Sequence, residues 1–203
     1  MSKMIVLYLG LFGLFAFVLG VGILGLQLRK YPSKENAERY SRIAHFLFFA
    51  GLGTPALIWL FYPGLTHLDQ LIGLDPLPLK PLFLIIGIII ALPGLYLLAI
   101  TNKSLRAFGS GANAFRLTKR IVDQDIYRYT RNPMSLGYYL FCLSIGMILG
   151  STLLTFSVLL GLIPAHIFFL KYFEELELEL RFGESYKEYK QKTPFLIPKF
   201  SAK

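Results

Sequence analysis

A single cysteine, Cys142, excludes both a disulfide framework and a cysteine-based zinc site. Acidic residues are scarce, with 12 Asp and Glu against 21 Lys and Arg, and the 203 residues include three histidines. The most telling absence is of charge itself. Residues 4–28, 43–68, 81–102 and 132–170 contain no Asp, Glu, Lys or Arg. Such runs, with 55% hydrophobic residues and a mean hydropathy of +0.56, are foreign to ordinary soluble folds. A helix of about 20 apolar residues crosses a bilayer. The fourth run is long enough to cross twice if it folds back at Gly150–Thr152. The expected fold is therefore all-α, a polytopic integral membrane protein with about five transmembrane helices.

What charge there is follows the membrane. Lys and Arg number five in residues 29–42, seven in 103–131 and seven in 171–203, whereas Lys3 and Lys80 alone occupy the alternate segments. Nineteen against two is a positive-inside pattern that predicts an outer N-terminus and a cytoplasmic C-terminus. The net charge of +9 thus speaks for attraction to anionic lipids and not for a nucleic-acid partner. The first apolar run is far longer than the 7 to 15 residues of a signal-peptide core, and no small-x-small site follows it, so it is expected to remain as an anchor.

Along the chain, helices are expected over about 4–28, 43–62, 82–101, 133–149 and 152–173. The glycines Gly10, Gly13, Gly20, Gly22 and Gly25 suit close helix packing in the first. The stretch "RKYPSKENAERYSR" reads as a polar loop, and His45 just after it as an interfacial group. Pro63, Pro76, Pro78 and Pro81 mark a short outer excursion, and Pro93 with Gly94 a kink. The last two spans form a hairpin whose free ends carry "YTRNP" and "KYFEELELEL". Both ends return to one side of the membrane, so these clusters, about 40 residues apart, meet. The tail predicts a helix ending near Gly183, a further short helix, then a proline-bounded segment.

In the first cluster, Asn132 reads as a helix N-cap, Pro133 as the first helical residue and Arg131 as a cation reaching lipid phosphates. In the second, Glu174 and Glu175 leave an apolar helix where an unpaired carboxylate is costly, so both demand a partner. Glu177 and Arg181, four residues apart, read as a solvated helical face.

The pattern "IYRYTRNPMSLG", followed by "EELELELRFGESYKEYKQKTPFLIP", resembles the isoprenylcysteine carboxyl methyltransferase and phospholipid methyltransferase superfamily over about residues 110–198. The resemblance implies a membrane methyltransferase that uses S-adenosylmethionine, with residues 1–102 as a three-helix membrane region integrated with a methyltransferase-like region, 103–203. It also implies cofactor contacts at Ile121, Val122, Tyr127, Asn132, Pro133, Met134, Ser135 and Glu174. Arg131, or backbone N–H groups at the helix start, would meet the cofactor carboxylate, and Glu175 is counted with Glu174 in the binding cluster. Three departures stand out, the first being Ser135 where many relatives have tyrosine. Asp125 and Ile126 replace the glycine common before the tyrosine motif, and Leu170 replaces the arginine with which prenylcysteine-methylating members hold a carboxylate. His166, eight residues before Glu174, reads as a polar packing group, with a proton-transfer role as the alternative.

The expected partners are membrane lipids and a lipophilic or lipidated acceptor. The membrane would be the plasma membrane of a prokaryote or the endoplasmic reticulum of a eukaryote. The rival readings are an NADPH-dependent sterol-type reductase and a non-enzymatic scaffold. No metal site is expected.

Overall fold

The computed structural model describes residues 3–61, 65–109 and 117–199, and every regular element among them is helical. α1 (Lys3–Lys30) is one uninterrupted helix. α2 (Lys34–Phe48) starts well before the expected residue 43, because the Ser33 hydroxyl accepts from the Asn36 N–H at 3.1 Å and caps it. The segment read as a polar loop is mostly an amphipathic helix that buries Ala37, Ser41 and Ala44. The loop proper shrinks to residues 31–33. A wide helical turn, Phe49–Gly53, leads into α3 (Thr54–Phe61).

The proline-marked segment contains α4 (Leu65–Leu71); the turn expected at Pro63 lies outside the described residues. α5 (Lys80–Ser104) runs uninterrupted through Pro93. Beyond the one-turn 3₁₀ helix Asp125–Arg128, the hairpin opens with α6 (Pro133–Leu149). Its second arm is helical from Thr152 to Phe182, through α7 (Thr152–Phe156), α8 (Ile163–Phe169) and α9 (Glu175–Phe182), joined by wide turns at Ser157–Leu162 and Leu170–Glu174. That arm ends at Gly183 as the sequence predicts, and α10 (Glu184–Lys192) follows.

Among the described residues, four helical stretches are long and apolar enough to cross a membrane: Met4–Lys30, Lys34–Trp59, Lys80–Phe108 and Thr152–Phe182. α6, with 17 residues, is the shorter fifth. The chain is a multi-pass membrane protein, and the outward display of Phe12, Phe15, Phe46, Ile89 and Leu92 suits a lipid solvent.

Packing joins the two halves of the chain. One core brings Phe17, Val21 and Leu28 of α1 and Ala37 and Ala44 of α2 against Ala165 and Phe169 of α8 and Phe173 beyond it. α5 lies directly on α6, where a Cβ on Gly137 would stand 2.9 Å from the Gly94 carbonyl oxygen. The α1 glycines are not alike. A Cβ on Gly13 would strike the backbone of Gly51, whereas Gly22 faces open space.

The hairpin turn is closed by local hydrogen bonds. Gly150 adopts φ 67° and donates to Gly146 and Met147, as a glycine cap does. The Ser151 hydroxyl accepts from Leu154 N–H at 3.2 Å, and buried Asp69 of α4 accepts from Leu153 N–H at 2.6 Å.

Candidate functional site

At the opposite end of the hairpin the chain is held from two sides. The tail runs beside the Arg-Asn-Pro motif: Arg131 N–H donates to Pro194 O at 2.9 Å, Thr130 Oγ1 to Leu196 O at 2.9 Å, and Lys199 N–H to Tyr129 O at 3.1 Å. Asn132 occupies the N-cap position of α6, but its side chain does not cap. Nδ2 donates to Phe195 O at 2.9 Å instead, so the residue ties the tail down. On the other side, Tyr189 Oη of α10 donates to Tyr127 O at 2.8 Å. Burial pushes the Tyr127 phenol above its ordinary value, with Tyr189 and Glu174 adding to the shift, so it remains a neutral hydroxyl.

Just before it, Asp125 has φ 51°, a left-handed conformation costly for a residue with a side chain. This is where the resemblance leads one to expect glycine. Asp125 Oδ2 accepts from Ser104 Oγ at 3.0 Å, which offsets part of that cost and ties the motif to the end of α5.

The adjacent carboxylates part company. Glu175, buried in α9, turns away into a cluster of cations: Arg131 at 3.1 Å, Lys171 at 3.0 Å and Lys190 at 2.8 Å. Lys190 also meets Glu179 at 2.8 Å; burial works to lower its basicity, but its hydrogen bonds to Glu175 and Glu179 outweigh this and raise it. Glu174, one residue earlier and thus about 100° around the helix, lines a cavity.

That cavity is about 420 Å³. Of the residues singled out in the sequence, Ile121, Val122, Tyr127, Arg131, Asn132, Pro133, Met134, Ser135 and Glu174 line it. Glu175 is not on its wall. Glu175 instead pairs with Arg131, which does line it.

Glu177 and Arg181 depart from the sequence expectation. They are no solvated face, since their side chains are 2% and 6% exposed and they pair at 2.7 Å. Burial follows because α9 packs against α2, and Glu38 of that helix approaches Arg181 Nε at 3.9 Å. Arg181 also donates to Thr118 O, holding the segment that carries Ile121 and Val122. The Nε atoms of both Arg131 and Arg181 are buried with no hydrogen-bond partner among the described residues. Desolvated donors of this kind favour an anionic or carbonyl partner.

The sequence pattern gave no warning of the contribution of the N-terminal half. Ser41, His45, Phe48 and Phe49 line the same cavity. No local signal marks them, because α2 reaches the site by packing against α1 and, far from it in sequence, α8 and α9. Tyr186 and Tyr189 also line it, and their i,i+3 spacing in "SYKEY" was a signal that could have found them. His166 is a packed group as expected, with Nδ1 2.9 Å from Tyr139 Oη and its ring stacked on Phe169 at 5.5 Å, yet it too reaches the wall. The cavity is therefore lined by both charged side chains and aromatic rings. The charged side chains are those of Arg131, Arg181 and Glu174, and the rings are those of Phe48, Tyr138, His166 and Phe169. Among the described residues, no group of three His, Cys, Asp or Glu could hold a metal ion.

Comparison with known proteins gives one match. The search of curated proteins and that of solved structures return none. The family model for phospholipid methyltransferase matches residues 82–185, from the start of α5 through the hairpin into α10. With half of its length matched and both arms of the hairpin inside the match, the chain belongs to the phospholipid methyltransferase family.

Proposed function

We propose that the protein is an S-adenosylmethionine-dependent membrane methyltransferase whose acceptor is a lipid or another lipophilic molecule reaching the cavity from the bilayer. The family match supports a membrane methyltransferase in general. The observation that carries the finer reading is the convergence of Arg131, Arg181 and Glu174 on one cavity of about 420 Å³, within the range of small-molecule sites.

The donor set suits this cofactor. Two buried guanidinium Nε atoms make no hydrogen bond among the described residues, fitting a carboxylate, and Glu174 fits an amino or ribose hydroxyl donor. The neutral Tyr127 ring offers a face to a sulfonium cation. In this reading Arg131, Asn132, Pro133, Met134, Ser135, Tyr127, Ile121, Val122 and Glu174 hold the cofactor, and Glu175 keeps Arg131 in position. When bound, the cofactor supplies a methyl group activated by positive sulfur. The chain's own part is to hold the acceptor in line with that methyl group and keep water out, which can account for most of the rate enhancement. Halves 1–102 and 103–203 act as one unit, with the C-terminus on the cytoplasmic face.

The test is S-adenosylhomocysteine binding by calorimetry, together with label transfer from methyl-labelled S-adenosylmethionine to a native lipid extract. Saturable binding and labelled lipid are the expected results. Thermal stabilisation by NADPH with none by S-adenosylhomocysteine would replace this reading with a reductase, and binding of neither would favour a scaffold.

A further inference from the structure

A second pocket opens at the end of α5, among Ala99, Asn102, Lys103, Arg106 and Ala107. Arg106 and Ala107 belong to a wide helical turn, Leu105–Gly109, that extends the helix, and such turns often mark functional sites. Lys103 and Arg106 are exposed, and among the described residues neither forms an ion pair, whereas Arg131, Lys171, Arg181 and Lys190 are all matched to carboxylates. Cations at a helix C-terminus offset its dipole, but that end carries only about half a negative charge. Two full charges therefore leave a positive surplus at the pocket.

The rest of α5 says what kind of anion fits. Ile85, Ile88, Ile89, Leu92, Leu95 and Tyr96 are exposed, and their three- and four-residue spacing leads on to Ala99, Lys103 and Arg106. An apolar stripe thus ends in a cationic pocket. On a helix that crosses a membrane this order matches a phospholipid, with an acyl chain along the stripe and the phosphate at the two cations. Free phosphate would use only one end of it. Of the pocket's residues, Asn102 alone also lines the large cavity, and its Nδ2 donates to Leu98 O at 2.9 Å, so its side chain is fixed to the helix between the two spaces. Buried Ser104, next to Lys103, ties the same turn to Asp125 ahead of Tyr127.

We propose that this pocket binds the phosphate of an anionic phospholipid and that the bound lipid braces the cavity wall. Lys103 and Arg106 do not line the cavity, so this lipid is distinct from the methyl acceptor. Holding both cations in one place fixes the end of α5. With it are fixed Leu98, Asn102 and Leu105 on the cavity wall and, through Ser104 and Asp125, the 3₁₀ helix that carries Tyr127. A lipid that prefers the formed wall shifts the chain toward the arrangement that binds cofactor, by as much as its affinities for the two arrangements differ. The effect on the cofactor rests on the methyltransferase reading above, whereas the lipid site does not.

The test titrates the full chain in detergent with phosphatidylglycerol, phosphatidylcholine or inorganic phosphate and follows bound lipid by native mass spectrometry. Lys103→Gln/Arg106→Gln is compared with Lys30→Gln/Lys34→Gln, which removes the same charge where α1 meets α2. All four side chains are exposed, so both variants should fold. Phosphatidylglycerol should bind wild type and the Lys30/Lys34 variant about tenfold more tightly than the Lys103/Arg106 variant. In vesicles, adding phosphatidylglycerol to phosphatidylcholine should tighten S-adenosylhomocysteine binding to wild type about threefold. The Lys103/Arg106 variant should keep its affinity in phosphatidylcholine and lose that gain. Equal losses of lipid in the two variants would reduce the site to diffuse attraction, and equal binding of phosphatidylcholine would remove selection by charge. Displacement of the lipid by inorganic phosphate at matched concentration would replace the lipid with a free anion. Lipid binding with no gain in cofactor affinity would overturn the bracing of the wall. Failure of wild type to bind S-adenosylhomocysteine in either vesicle would instead remove the methyltransferase reading, and the bracing with it, without touching the lipid titration.

Discussion

The two ends of the hairpin are built from similar materials to opposite effect. At the turn, Asp69, Ser151 and Gly150 are matched to backbone groups that need them, and the polar atoms are used up locally. At the open end, charge is in surplus. Arg131 and Arg181 are buried with donors unmatched among the described residues, and Glu174 lies on a cavity wall one residue from a carboxylate shared by three cations. A closed end holds the helices together, whereas an end with desolvated donors left over is arranged for something that arrives later. The contrast separates groups that keep the fold from groups that keep the site.

Four substitutions test that separation. Glu175→Ala strands Arg131 in a buried position, and breaking such a pair costs about 3–5 kcal/mol. Thermal unfolding in detergent should show a large drop, and a small one would mean that Arg131 finds water or another acceptor once Glu175 is gone. Glu174→Ala should spare stability yet weaken S-adenosylhomocysteine binding about 10- to 100-fold, the value of a charged hydrogen bond. Unchanged affinity in the folded variant would remove Glu174 from the cofactor site. At the turn, Asp69→Ala removes the acceptor for Leu153 N–H and should cost about 1 kcal/mol. Its S-adenosylhomocysteine affinity should stay within about twofold; a larger loss would show that the two ends are coupled. The smallest effect belongs to Asp125→Gly, where relief of the φ 51° conformation and loss of the Ser104 hydrogen bond oppose each other, leaving a net change below about 1 kcal/mol. A larger loss of stability on thermal unfolding would show that the Ser104 hydrogen bond outweighs the backbone strain.

Much of this was legible in the chain itself, because a bilayer imposes the strictest rule on sequence. Uncharged runs must become helices, since no water satisfies their backbone groups. The hairpin, its turn at Gly150 and the stop at Gly183 follow from that rule and from glycine placement. Asn132 and Glu177 depart from expectation for one reason. A cap and an exposed ion pair are local interpretations, and both residues answer to distant partners, Phe195 O for one and the packing of α9 on α2 for the other. The early start of α2 escapes notice because an amphipathic helix outside the apolar run looks like a polar loop until the surface it packs on is known.

The order of residues is enough to dictate a helical membrane protein whose last two spans double back and whose signature residues gather at one end. Those outcomes rest on interactions within a few turns of chain or between chain and solvent. Three features emerge only from the packed molecule: which of two neighbouring carboxylates faces the cavity, the burial of Arg181, and the arrival of His45 at the site from the other half of the chain. Each depends on how one helix is rotated against another, which is set by side-chain packing between residues far apart in sequence.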